Sequence, residues 1–228
     1  MCYKRKREIR VERSEVMRHL LQGFAVACVL LMIAAAGSFA AAKPGTLVCV
    51  GLYSETSDGS VSYRVGAGQW IVVKVGDVIP ANAEIRVNVD RDWIEMIAAD
   101  KPNAVYEVDG PESGGEIIKK VAEILKSKPR TVSFPKPSGT TPDPKFKDKL
   151  VVTQYLGRQF YRNADGDDKD IKYGDVLDIK GKVRIIGINN PINLMNADGK
   201  VTTVIGPLNF TVDQVLNNKQ LYKFLNVN

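Results

Sequence analysis

Apolar and polar positions alternate in two separate stretches of the chain. In the first, Ile85 and Val87, then Ile94 and Met96, then Val105 and Val108 fall in short runs divided by turn residues. In the second, Val183 and Ile185, Ile192 and Leu194, and Val201 repeat the alternation. A period of two sends alternate side chains to one face, so each run predicts a short strand with a buried side. A Gly-Asp turn precedes each set: Val75-Gly76-Asp77-Val78-Ile79 and Tyr173-Gly174-Asp175-Val176-Leu177. Glycine permits positive φ, and the carboxylate can accept from nearby backbone N–H groups, so Asp77 and Asp175 are expected to be structural. Further turns are predicted at Asp100-Lys101-Pro102-Asn103 and Asn196-Ala197-Asp198-Gly199.

The two stretches match at a constant offset of 98 residues, from the Gly-Asp turns through Glu84-Ile85-Arg86-Val87 and Lys182-Val183-Arg184-Ile185 to Met96 and Leu194. After a two-residue slip, Val105 meets Val201 and Gly110-Pro111 meets Gly206-Pro207. Upstream, Gln69 pairs with Gln159 if the second stretch carries eight extra residues around positions 163–170. A series that stays in register this long points to duplication. Each copy is expected to end in a helix. In the first, residues 116–126 place Ile117, Val121, Ile124 and Leu125 on one face, with Lys119 and Lys120 outward. In the second, Thr211 is placed to cap a helix carrying Val215, Leu216, Tyr222 and Leu225. Between the copies, residues 127–149 contain Pro129, Pro135, Pro137, Pro142 and Pro144, which predicts an extended, semi-rigid linker.

Residues 20–42 carry no charge and would span roughly 34 Å as a helix, enough to cross a bilayer core. A basic segment precedes them. Small residues at Ser38-Phe39-Ala40 and Ala40-Ala41-Ala42 fit signal cleavage sites. Cleavage and retention as a signal anchor both remain open, as does a start at Met17. Cys28 after Ala25-Val26-Ala27 only loosely suggests lipidation, because the apolar run continues beyond it. The expected fold is therefore mainly β with a few helices: two small tandem antiparallel β-modules, each ending in a helix, after an N-terminal apolar helix. The expected segments are 1–42 (leader), 43–126 (first module), 127–149 (linker) and 150–228 (second module).

The net charge of +6 changes this picture through its distribution. Residues 1–42 hold seven basic residues against three glutamates, which leaves only two excess positive charges beyond them. Nucleic-acid binding would want a basic stripe on the folded part. The locally basic stretch there is the Pro-rich segment, with seven basic residues from Lys126 to Lys149 against Asp143 and Asp148. Of the three cysteines, Cys2 and Cys28 precede position 43. Cys49 sits in an apolar run and reads as a buried thiol.

The one histidine, His19, lies in the leader. Beyond it the chain lacks the parts of a Ser-His-Asp or Cys-His nucleophile and of a histidine-bearing zinc site. It shows no Walker or Rossmann glycine pattern. Two candidates remain. Asp90, Asp92 and Glu95 cluster near Trp93, the residue types of a glycosidase; the plainer reading is a polar strand edge beside an inward aromatic. Asn163, Asp165, Asp167, Asp168 and Asp170 place oxygen ligands at close spacing, as calcium wants; a solvated hairpin tip accounts for them more simply. No catalytic, cofactor-binding or metal residue is assigned.

The Gly76-Asp77-Val78-Ile79 turn, Ile85-Arg86-Val87 and Gly110-Pro111-Glu112-Ser113, with their second-copy partners, resemble the periplasmic module of FecR-type proteins. The resemblance covers about 40 residues per copy and implies a small β-domain outside the inner membrane. FecR regulators also carry a cytoplasmic domain before their membrane span. Only about 19 residues precede Leu20 here, so the regulatory role is not carried over.

These observations lead us to expect a non-enzymatic exported envelope protein, periplasmic or otherwise extracytoplasmic, that binds or scaffolds through two modules. The expected partner is an envelope protein or an anionic cell-wall polymer, and no cofactor is expected. The alternatives are a membrane-anchored sensor, if the leader is retained, and an envelope polysaccharide hydrolase.

Overall fold

Strand pairing organises the chain from Leu47 onward. The computed structural model describes residues 44–54, 60–163 and 166–217, all within one compact unit, Lys43–Asn228. The leader expectations for residues 1–42 fall outside the described residues. Among the described residues, no helix is long and apolar enough to cross a membrane.

The first half contains β1 (Leu47–Tyr53), β2 (Val61–Val65), β3 (Ile71–Val72), β4 (Val78–Ile79), β5 (Ala83–Val87), β6 (Trp93–Ala98), β7 (Lys101–Asp109), β8 (Ile117–Lys120) and the one-turn α1 (Val121–Ile124). A short β9 (Arg130–Thr131) and a 3-10 turn (Pro144–Phe146) follow. The second half contains β10 (Lys149–Leu156), β11 (Gln159–Arg162), β12 (Lys169–Asp170), β13 (Val176–Asp178), β14 (Lys182–Ile185), β15 (Pro191–Met195), β16 (Val201–Ile205), β17 (Leu208–Thr211) and α2 (Val212–Leu216). The fold is mostly β with few short helices.

The described residues form three sheets. A nine-stranded sheet runs β16-β15-β10-β1-β6-β7-β9, with β13 also on β10 and β4 also on β1. Two four-stranded sheets run β3-β2-β5-β8 and β12-β11-β14-β17. The pairings in the two halves follow the same order. β1 takes β4 and β6 as β10 takes β13 and β15, and both β1 and β10 carry a bulge opposite their hairpin partner. The Val73 N–H donates to the Val61 carbonyl, and the Ile171 N–H to that of Gln159, each 98 residues on.

That last pair corrects one expectation. Gln159 stands opposite Val61 rather than Gln69. The hairpins β2–β3 and β11–β12 have equal length, so residues 163–170 are not an insertion. The length difference lies instead between β1 and β2.

Both Gly-Asp turns form as expected. Asp77 Oδ2 accepts the Lys74 N–H and Asp175 Oδ2 the Lys172 N–H, each at 2.8 Å. Gly76 and Gly174 adopt φ of 96° and 81°, a region that favours glycine. Cys49 is fully buried, and burial pushes its thiol pKa far up, which makes it inert.

The helix predicted over residues 116–126 is only partly present. Ile117–Lys120 pair with β5 as a strand, and just one helical turn follows, burying Val121 and Ile124. The open edge of β5 captures the first four residues, and a 3.6-residue period over so short a run does not outweigh that pairing. The second helix starts where expected, with Gln214 Oε1 accepting the Thr211 N–H at 2.8 Å. Tyr222 and Leu225 lie outside the described residues.

Residues 127–149 are no free spacer. β9 pairs with β7, Phe134 packs edge-on against Tyr173 at 5.2 Å, and the Asp143 N–H donates to the Ala197 carbonyl. Phe146 is buried. The segment is strapped across both halves, because a proline-rich stretch still permits short pairings and side-chain burial.

β1 and β10 pair in parallel, with Gly51 opposite Tyr155 and Leu52 opposite Leu156. This pairing fuses the halves into one sheet. A Cβ on Gly51 would lie 2.4 Å from Tyr155 Cε1, so the close approach requires glycine. Gly51→Ala should therefore lower stability by about 1–3 kcal/mol, the cost of overpacking a filled site, read from the shift of the urea midpoint.

Candidate functional site: a buried carboxylate and two arginine pairs

The carboxylates near Trp93 do not form a polar strand edge. β6 reads Trp-Ile-Glu-Met-Ile-Ala, and both of its faces are covered, so Glu95 is fully buried. Ile94 and Met96 face the first-half core. Glu95 points the other way, toward the second half and the strap. Its Oε2 accepts the Tyr155 hydroxyl and the Tyr173 backbone N–H, each at 2.8 Å. Its Oε1 accepts Arg130 Nη2 at 2.5 Å. The Trp93 indole N–H donates to the Tyr155 oxygen at 2.8 Å, and Arg130 Nη1 donates to the Tyr173 carbonyl at 2.9 Å. Lys172 pairs with Glu107 beside this network.

One side chain from the first half thus gathers donors from β10, from the segment before β13 and from the strap. Burial raises the Glu95 pKa, offset by the Tyr173 N–H, the Arg130 charge and the Tyr155 hydroxyl. Burial also raises both tyrosines, with the Glu95 charge adding to it. Asp92 is buried as well and accepts from Ser60, while Asp90 is exposed. Asp92 and Glu95 are committed to internal partners, so the paired-carboxylate candidate is assembled as a structural network.

The outer faces of the two small sheets carry a feature that the sequence reading missed. Arg64 on β2 and Arg86 on β5 are diagonal neighbours on one face, opposite Glu84 and Ser62, and Arg162 on β11 and Arg184 on β14 occupy the same places 98 residues later, opposite Lys182 and Phe160. In the first half, both guanidinium groups lie against the Trp70 ring, at 4.5 Å and 4.3 Å from its centroid. Arg64 also pairs with Glu84 at 2.8 Å, and Arg86 Nε donates to Ser62 Oγ at 3.2 Å.

In the second half, Asp168 stands where Trp70 stands in the first. It bridges Arg162 at 2.8 Å and Arg184 at 3.0 Å. The Arg162 hydrogen bond holds the Asp168 pKa below the usual carboxylate range, with the Arg162 and Arg184 charges assisting. Phe160 lies between Arg158 and Arg184, each 5.0 Å from its ring centroid. Phe160, Lys182, Asn209 and Gln214 help line a shallow groove of about 680 Å³ over this pair.

Of the calcium candidates, Asp168 is taken up by Arg162 and Arg184, and Asp170 by Arg158 at 2.8 Å. Asp165 lies outside the described residues. Arginines are thus the present partners of two of these carboxylates. The equal spacing of Arg64, Arg86, Arg162 and Arg184 was visible in the sequence as an offset of 98. Arg64 and Arg162 lie upstream of the stretch that the Gly-Asp turns bring into register.

Comparison with protein-family models, curated proteins and solved structures finds no match.

Truncating Glu95 should be costly, because Tyr155 and Tyr173 would lose a buried acceptor and Arg130 its counter-charge. Glu95→Ala is expected to destabilise the chain by about 2–4 kcal/mol, read by denaturant unfolding. The raised pKa fixes the sign of the pH dependence. Stabilisation from the protonated form is complete below the ordinary glutamate value and is lost as pH rises through the folded value. Stability should therefore fall as pH is raised from about 4.5 toward neutrality, relative to Glu95→Gln, whose profile lacks this component.

Proposed function

We propose that the chain is a non-enzymatic binding protein of the cell envelope, made of two copies of one FecR-like β-module, and that its ligand is an anionic cell-wall polymer. The observation that carries this reading is the arginine pair on the outer face of both small sheets. Two guanidinium groups side by side form a site for a carboxylate or phosphate, because each presents a planar fork of donors. The second half illustrates that chemistry within its own chain, since Asp168 places a carboxylate between Arg162 and Arg184. In the first half an aromatic ring stands there instead, and Trp70 with Arg86 offers a stacking surface beside a positive charge.

The shared pairing order of the two halves supports duplication. Because β1 and β10 belong to one sheet, the two faces hold a fixed geometry, and a polymer long enough to reach both gains avidity without an ordering cost in a linker. The uncharged stretch after a basic head supports export, whether the leader is cleaved or retained as an anchor.

Co-sedimentation of the full chain with purified cell-wall polymer tests this reading. Arg86→Ala should weaken retention by about tenfold, the worth of one lost charge-assisted contact, and added salt should weaken it further. Asp168→Asn should strengthen retention, because it vacates the second arginine pair. Retention unchanged in both variants contradicts the proposal. Mass spectrometry of the native N-terminus separates release from anchoring: a start near Ala41 or Lys43 identifies a cleaved leader.

A further inference from the structure

The two halves differ at one edge of the large sheet. In the first half the hairpin strand β7 is covered by β9, with Ala104 opposite Thr131 and Val105 opposite Arg130. The Val132 N–H continues the ladder to the Asn103 carbonyl. The corresponding strand of the second half, β16, ends the sheet among the described residues.

The orientation of its backbone follows from its neighbours. The Lys200 carbonyl accepts from Asn196, the Gly206 N–H donates to Asn190, and the Gly206 carbonyl accepts from Asn189. Even-numbered positions thus turn toward β15. Strand groups alternate in direction, so the N–H and C=O groups of Val201, Thr203 and Ile205 point outward, away from the sheet.

This edge lacks the usual protections. Val-Thr-Thr-Val-Ile contains no lysine, no proline and no charge, and its pairing with β15 runs without a bulge. Its surroundings are apolar where the first half is polar. Ile186, Ile188 and Ile205 stand in place of Asn88, Asp90 and Asp109. Ile188 is 79% exposed, Ile205 54% and Val201 45%. The segment carrying Ile188 is tied to the end of β16 through the Asn189–Gly206 hydrogen bond.

We propose that β16 pairs with β16 of a second copy of this chain, antiparallel and centred on Thr203. The sequence is self-complementary about that residue. Antiparallel pairing on Thr203 sets Val201 of each copy against Ile205 of the other, and Thr202 against Val204. The outward groups of Val201, Thr203 and Ile205 then form about six backbone hydrogen bonds, two for each facing pair. Val201 and Ile205 become β-branched cross-strand neighbours on the exposed face. Such an interface is isologous and closes as a two-fold dimer, so the sheet doubles without leaving a free copy of the same edge. This inference is independent of the ligand proposed above.

Cysteine cross-linking of the full chain tests the register. Cys2 and Cys28 are replaced by serine, and buried Cys49 is kept. Thr203→Cys should link to itself under mild oxidation, because facing residues lie about 5.5 Å apart, within disulfide reach. Val201→Cys should not, because the two copies of that position lie about 14 Å apart along the strand. Ile205→Lys should yield a monomer whose unfolding midpoint is independent of concentration and equals that of the unsubstituted chain diluted until it is monomeric. Equal cross-linking of both cysteine variants, or none from Thr203→Cys at any concentration, overturns the proposal. So does a monomer whose Val201, Thr203 and Ile205 amides exchange slowly, because another strand would then occupy the edge.

Discussion

The buried carboxylate of Glu95 joins both halves and the strap between them. A carboxylate with no solvent exposure needs donors. The Tyr155 hydroxyl, the Tyr173 N–H and the Arg130 guanidinium provide them from elsewhere in the chain. Leaving such a group unpaired costs several kcal/mol, whereas pairing it roughly breaks even. In this arrangement the halves and the strap together satisfy Glu95. The parallel β1–β10 pairing and the close contact of Gly51 with Tyr155 follow from the same docking.

This constraint changes what the repeated strand order means. Two modules on a free linker would sample many relative positions. Here the Pro-rich segment is itself part of the interface, through Arg130, Phe134 and the Asp143 N–H. The two outer faces with their arginine pairs are consequently held in fixed relation. The halves differ in two places: one arginine pair lies against Trp70 and the other is bridged by Asp168, and one sheet edge is covered by β9 while β16 ends its sheet among the described residues.

Much of the local structure was legible in the sequence. Alternation placed β5, β6, β14 and β15, and the Gly-Asp pairs marked turns that recur at equal spacing. The failures share a cause. Residues 116–126 carry a helical spacing, but pairing with β5 is a tertiary effect that no local period reports. Glu95 looked like an edge residue because alternation predicts one buried face, whereas β6 is buried on both. The signal was present in Trp-Ile-Glu-Met-Ile-Ala, a nearly continuous apolar run, which marks a strand covered on two sides. The prolines of residues 127–149 signal a mostly irregular segment but do not report its packing against both halves. Pairing Gln69 with Gln159 hides the arginine pairs, because it takes Arg64 out of register with Arg162.

The central claim is that residues Lys43–Asn228 form one cooperative unit held by a shared buried network. Calorimetric unfolding of the full chain tests it most directly. The account predicts a single transition with equal calorimetric and van't Hoff enthalpies, lowered as a whole by Glu95→Ala. Two resolved transitions, with only the first-half one moved by that substitution, would contradict it.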